Sequence, residues 1–330
     1  MISLFRRKAK PKIPALPRLL DEVLLHVTLW PSMPHFTRFA HNRKIAGIRL
    51  NSAMMSNPEL DHELEEIKSN PPSVPLWYDI KGRQLRITEV NFNPNYLDIV
   101  INHPISVPTP VPVLFKAGSD GAELMRLEDG GRRLIFNGGP EFMVKPGESL
   151  HIRHPQFRIL GKMFTVEEKE KIAKVRRAGF SRFYLSYVDS QRYVDEFREL
   201  TGRDAEIKLK IEDKAGLKFV AEEYVKSDNI SLIAARGDLY VEIDRPHDIM
   251  AALKLIIAKD PGACVGSRIM LSIVDEPVPS CSDFLELAWL YDIGYREMML
   301  CDEICLKSEL LTAAVNAFDS FRLAYSPSIT

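Results

Sequence analysis

Short apolar runs alternate along the chain with helix-length amphipathic segments, and each run ends in charge. Leu24–Leu29, Ile45–Leu50 and Leu76–Tyr78 read as strands. Pro58 opens a helical segment, Glu59–Lys68, with acidic residues in its first turns, where the helix dipole favours them. From about Ile87 to Leu160 the rhythm breaks. Leu97–Ile101, Val111–Phe115, Leu134–Phe136 and Leu150–Ile152 show strand alternation, punctuated by Pro104, Pro108, Pro110, Pro112, Gly130-Gly131, Gly138-Gly139 and Pro146-Gly147. That is the mark of a compact β unit. Gly130-Gly131 reads as a hairpin turn rather than a phosphate loop, because no helix-forming segment follows it. Helices return at Thr165, where Thr-Val-Glu-Glu reads as a capping box opening Val166–Arg177. Strands Phe183–Tyr187, Ile207–Ile211, Ile230–Ala235, Ala263–Val265 and Glu297–Leu300 follow, interleaved with helices Arg192–Leu200, Leu217–Val225, His247–Lys259, Phe284–Tyr291 and Cys305–Phe318. The pattern predicts an α/β fold, a (β/α)8 TIM barrel interrupted after its third strand. The expected boundaries are a basic tail and lead-in over residues 1–22, the barrel over 23–87 and 161–330, and a small all-β domain over 88–160.

The stretch Ile207–Ile243 carries the densest chemistry. Its two strands, read as continuous apolar runs buried on both faces, end in Lys210 and Glu212 and in Arg236 and Asp238. In a barrel such strand ends converge on one face, where TIM-barrel enzymes carry their active sites. Arg49 and Asn51 join from the second strand, Asp79, Lys81 and Arg86 from the third, and Ser267 from the seventh. Two carboxylates with open positions beside them suit Mg²⁺ or Mn²⁺. The surrounding Arg and Lys suit a phosphate or carboxylate, and would stabilise a developing enolate or a transferring phosphoryl group. Taken singly, each residue is an ordinary strand-end ion pair; the set is what points to a site.

Composition narrows the classes. With 44 basic and 45 acidic residues the net charge is −1, which gives no overall electrostatic case for nucleic acid or a membrane surface. The segment Phe5-Arg-Arg-Lys-Ala-Lys-Pro-Lys12 is basic but short, and reads as a solvated tail. No apolar run approaches the ~18 residues of a membrane span. Cys264, Cys281, Cys301 and Cys305 form no C-x-x-C pair and no zinc-like spacing with histidine, so they read as free thiols of a reducing cytoplasm. None of the eight histidines falls in a metal pattern, and most read as surface or loop residues.

The segments Ile48–Asn51, Tyr78–Arg86, Phe164–Val188, Leu209–Asp213 and Ala234–Ile243 resemble the signature segments of pyruvate kinase, with Lys-Ile-Glu followed by Ala-Arg-Gly-Asp as the most specific match. The resemblance spans the barrel from about Leu24 to Phe318 and places a small β domain at the family's position for its lid. It implies that Glu212 and Asp238 hold a divalent metal, Mg²⁺ or Mn²⁺. Lys210 would stabilise the phosphoryl-transfer transition state and the enolate. Arg49 would hold the transferring phosphate with Arg86 nearby, and Ser267 would stand for a family threonine. Arg236, Gly237 and Asp238 would border the substrate. Asn51 and Asp79 match two monovalent-cation ligands. Ala53, Ile80 and Gln84 replace residues linked with potassium, so K⁺ binding is not expected to be kept. Tyr240, in place of a glycine, is expected to put a ring close to the site.

Further departures follow. Pro279–Asp283 and Cys301–Ile304 differ from the family's loops and are expected near the barrel mouth or its subunit contacts. Val144–Ile152 resembles the middle of the lid but runs into Arg153-His154-Pro155, so a reduced lid is expected. No counterpart of the family's carboxyl-terminal domain is expected after the eighth helix. Three readings result. One is a minimal pyruvate kinase acting on phosphoenolpyruvate and a nucleoside diphosphate such as ADP. Another is a metal-dependent enzyme forming an enolate of pyruvate or a similar 2-oxo acid without a nucleotide. The last is a non-catalytic ligand-binding or regulatory descendant, against which the joint presence of Lys210, Glu212, Arg236 and Asp238 argues. The resemblance leaves a homo-oligomer open.

Overall fold

The computed structural model describes residues 23–325; the basic tail read over residues 1–22 lies outside them. Eight parallel strands, Leu24–Thr28, Gly47–Asn51, Leu76–Ile80, Arg182–Leu185, Glu206–Ile211, Ile230–Ala235, Cys264–Gly266 and Glu297–Met299, close into a barrel in chain order. Closure is direct, with Leu24 opposite Glu297 and His26 opposite Met299. The third strand pairs with the fourth, Tyr78 opposite Phe183, so the β unit between them is an excursion from an unbroken barrel.

The strands are not apolar on both faces. Ile207, Leu209 and Ile211 pack outward into the core shared with the helices, while Trp77, Tyr184, Ile233, Cys264 and Met299 form a separate cluster inside the barrel. Lys208, Lys210 and Glu212 take the alternate positions, each 5 % exposed or less. A strand with period-two side chains delivers alternate residues to one face, so this pattern puts three charged groups into the barrel interior from a single strand. The reading of continuous apolar runs missed that alternation.

Local chemistry explains the helix starts. Thr165 accepts from the Glu168 amide at 3.2 Å while Glu168 accepts from the Thr165 amide at 2.9 Å, the reciprocal capping box expected there. Ser56 and Glu59 form a second box ahead of Asn57–Ser69. A short helix, Arg236–Glu242, begins directly at the end of the sixth strand, where only a strand end was expected.

The excursion forms a five-stranded antiparallel sheet ordered Ile87–Asn91, Asp98–Ile101, Arg133–Asn137, Asp120–Glu128 and Val111–Phe115. It has its own apolar core, including Ile99, Val113, Phe115, Leu124 and Leu134. Gly130 and Gly131 turn the hairpin at positive φ, 65° and 93°, which only glycine adopts without cost. Leu150–Ile152, read as a strand, makes only an isolated bridge, Leu114 to His151. Among the described residues no helix is long and apolar enough to cross a membrane.

Candidate active site

The carboxyl ends of the strands surround a cavity of about 440 Å³. Arg49, Asn51, Lys81, Arg86, Lys210, Glu212, Gly237, Asp238 and Ser267 all line it. Asp79 lies just beneath, fully buried, and organises the floor. Its Oδ2 accepts from Arg49 Nε at 2.7 Å and Lys81 Nζ at 2.8 Å and faces Lys210 Nζ at 3.6 Å, while Oδ1 accepts from the Ser186 hydroxyl at 3.3 Å. Burial opposes charge on Asp79, but Lys210, Lys81 and Arg49 outweigh it and hold the carboxyl well below the usual carboxylate range. Lys210 also donates to Glu212 Oε1 at 2.8 Å and to Ser186 Oγ at 2.9 Å. Burial pulls its pKa down, Asp79 and Glu212 pull harder the other way, and the net shift is upward, so the ammonium keeps its proton.

Glu212 is clamped from its other oxygen by the Tyr187 amide at 2.7 Å. Tyr187 sits at φ 52° to present that amide, a left-handed conformation costing a non-glycine residue roughly 1–2 kcal/mol. Burial, with Asp238 nearby, pushes Glu212 up to about 7 against the pull of Lys210. Two carboxylates that repel across a cavity favour a cation between them. Ser267, Arg268 and Met270 also take positive φ after the seventh strand. Strain in non-glycine residues persists where surrounding structure enforces it, commonly at functional sites. A Cβ on Gly237 would stand 3.3 Å from Ser267 Oγ, so the start of the short helix and this strained loop approach closely.

Some expected residues serve others. Arg236 spends its donors on Glu286 at 2.5 and 3.3 Å and on the Ser267 carbonyl at 2.6 and 3.1 Å; it holds the loop rather than lining the cavity. Gln84 accepts twice from Arg86, at 3.1 and 2.7 Å, and aims that guanidinium. Tyr240 does not reach the cavity: it is 38 % exposed with the Arg268 guanidinium 4.9 Å from its ring centroid. Asn51 Nδ2 donates to Asp302 and its Oδ1 accepts from the Ala53 amide, so protein donors already take the oxygens of Asn51 and Asp79 that a monovalent cation would need.

Other residues here went unread in the sequence. Asp302 pairs with Arg49 at 2.7 Å and Asn51 at 2.9 Å; only the loop change Cys301–Ile304 hinted at it. Five of the eight histidines are exposed or half-buried, as expected of most; His26, His103 and His151 are buried, and His151 stands 3.7 Å from Asp238 and 2.7 Å from Glu242. Among the described residues no three His, Cys, Asp or Glu side chains are grouped so that they could together hold a metal ion as they stand. Glu212 and Asp238 bring two carboxylates to one cavity, and carboxylate oxygen is the donor type that hard divalent ions take.

No family model matches the chain. It is 25 % identical over 300 residues to the pyruvate kinase of Methanocaldococcus jannaschii, covering 86 % of this chain and 65 % of that protein. It is 28 % identical over 217 residues to the pyruvate kinase of Encephalitozoon cuniculi, covering 64 % and 47 %. The chain thus spans less than two thirds of the length of these curated relatives. The crystal structure of pyruvate kinase from Pyrobaculum aerophilum superposes with a TM-score of 0.69 at 16 % identity, over 95 % of this chain and 75 % of that one. In sequence and in barrel fold this chain is similar to pyruvate kinases, at identities that mark it as divergent from them.

Proposed function

We propose that the protein catalyses pyruvate kinase-like phosphoryl transfer between phosphoenolpyruvate and a nucleoside diphosphate by way of enolpyruvate, with a divalent cation held by Glu212 and Asp238. The observation that carries the reading is the clamp on Lys210, a buried ammonium fixed by Asp79, Glu212 and Ser186 at the cavity floor. Such a charge is pre-organised for a developing oxyanion and needs no rearrangement to meet it. In the forward direction a terminal oxygen of the diphosphate attacks phosphorus, the bond to the enol oxygen breaks, and C3 of the released enolate takes a proton to give pyruvate. Lys210 balances charge on the enolate oxygen. Arg86 and Lys81 line both this cavity and a neighbouring one of about 750 Å³, which suits them to hold a phosphate between the two. The larger cavity is bordered by the starts of helices Asn57–Ser69 and Val166–Arg177 and by Thr88, Asn102 and Arg132 of the β unit, and we assign it to the nucleotide. When bound, the cation (Mg²⁺ or Mn²⁺) supplies Lewis acidity toward substrate oxygens.

A second reading is favoured by Asp302. Its carboxylate occupies the face of Arg49 that would otherwise meet a phosphate. A carboxylate beside a phosphate site is repulsive, so the same floor would serve an unphosphorylated 2-oxo acid through its enolate, without a nucleotide. Incubation with phosphoenolpyruvate, Mg²⁺ or Mn²⁺ and a panel of nucleoside diphosphates separates the two. Metal-dependent pyruvate formation that requires the nucleotide supports the first. No product from any pair, with metal-dependent proton exchange on pyruvate retained, supports the second.

A further inference from the structure

From the β unit, the His151 side chain reaches the carboxyl end of the barrel. His151 is 2 % exposed, and its Nδ1 lies 2.7 Å from Oε1 of Glu242 in the short helix after the sixth strand. A carboxylate only accepts, so Nδ1 carries the proton and a neutral ring has its lone pair on Nε2. That Nε2 is buried without a hydrogen-bond partner, and Oδ1 of Asp238 stands 3.7 Å from it, beyond hydrogen-bond reach. The Tyr187 hydroxyl, 3.5 Å from Nδ1, is on the other side of the ring. The gap between Nε2 and Oδ1 is filled favourably by a positive charge, either a metal ion or a proton, which burial opposes but Glu242, Asp238 and Glu212 favour. A divalent ion with ligands at ~2.1 Å can bridge atoms up to ~4.2 Å apart.

We propose that His151 Nε2 is a protein ligand of the divalent ion held by Asp238 and Glu212, with Glu242 as the carboxylate that orients the imidazole. The inference rests on the metal reading above and goes beyond it. Carboxylate–histidine–metal triads fix the ring and its tautomer in this way. Glu212, now gripped by Lys210 and the Tyr187 amide, is drawn toward the ion to complete the set. An imidazole nitrogen suits the later first-row ions better than Mg²⁺, so the β unit tunes the site toward Co²⁺, Ni²⁺ or Zn²⁺.

Pulsed electron paramagnetic resonance on the Mn²⁺-loaded full chain tests this without reference to turnover. The proposal expects a ¹⁴N coupling from a directly bound imidazole, lost in His151→Asn, with Mn²⁺ affinity falling about 10- to 100-fold in that variant and in Glu242→Gln, and Mg²⁺ affinity falling less. Circular dichroism confirms that both variants fold. Mn²⁺ bound in an Asp238-dependent way, with no nitrogen coupling and unchanged affinity in His151→Asn, overturns the proposal and leaves the carboxylate metal site standing. In that case a proton, not a metal, fills the gap. No Mn²⁺ binding to the unsubstituted chain overturns both.

Discussion

At the amino end of the barrel interior, Lys208 donates to Glu297 at 2.7 Å, His26 pairs with the other oxygen of Glu297, Tyr184 meets His26 at 3.0 Å, and the Trp77 ring lies 4.9 Å from the Lys208 ammonium. At the carboxyl end, Lys210, Lys81 and Arg49 crowd one carboxylate, Asp79, under an open cavity. Both clusters are buried and both are built from alternate residues of the same strands. They differ in how settled their charges are. Burial works against ionisation of Glu297, yet His26 and Lys208 hold it down at about 2. At the other end burial, with Lys210 and Arg49 close by, pushes Lys81 down to about 7 in spite of Asp79, and Glu212 rises to about 7. One network has its carboxylate paired on both oxygens, by His26 and Lys208. The other keeps charges poised for a partner that the protein alone does not supply, and such perturbed groups in a cleft are the mark of a functional site.

The contrast can be broken at either end. Glu297→Gln should cost about 3–5 kcal/mol in denaturant unfolding, because it strands Lys208 as a buried charge without its partner. A loss below ~1 kcal/mol would mean that the amino-end network is not structural. The same carboxylate should leave a pH signature. Its folded pKa lies below its usual 4.5, so its contribution is complete above about 4.5 and is lost as pH falls from there toward 2. At about 1.4 kcal/mol per unit this amounts to about 3 kcal/mol. Glu297→Gln should flatten that part of the stability profile, and an unchanged profile would assign the acid limb to other groups. At the carboxyl end, Asp302→Gly should free Arg49 and strengthen phosphoenolpyruvate or inorganic phosphate binding about tenfold in calorimetry, the weight of one charge-assisted contact of about 1.4 kcal/mol. Unchanged binding would remove Asp302 from the phosphate face. Smallest of all, exchanging K⁺ for Na⁺ or tetramethylammonium should alter substrate binding less than twofold, since the oxygens of Asp79 and Asn51 are already engaged. A strong K⁺ requirement would show that those bonds give way.

The barrel was legible because outward residues such as Ile207, Leu209 and Ile211 repeat in every strand and helix starts carry readable caps at Thr165 and Pro58. Strand-end residues were legible for a related reason: a barrel brings them together whatever the loops do. Lys208 and Lys210 alternate with those apolar positions, and that period-two signal, present in the sequence, was the missed clue to a charged interior. His151, Glu242 and Asp302 gave no such signal. Arg49 and Asp302 meet across 253 residues of chain, and His151 and Glu242 across 91; such contacts follow from how the β unit and the eighth strand end settle on the barrel, which no local pattern encodes. Arg236 shows the converse: its motif put it beside the other strand-end residues, but did not tell whether it faces cavity or loop.

If the Lys210 cluster stabilises an enolate, whichever group the substrate transfers, the methyl protons of pyruvate exchange at this site. Proton NMR of pyruvate in deuterated buffer, with Mg²⁺ or Mn²⁺, tests this most directly. Metal-dependent exchange of the methyl protons is the expected result, reduced at least ~100-fold in Lys210→Met. Exchange that is absent from the unsubstituted chain with every divalent ion, or equal in Lys210→Met, would contradict it.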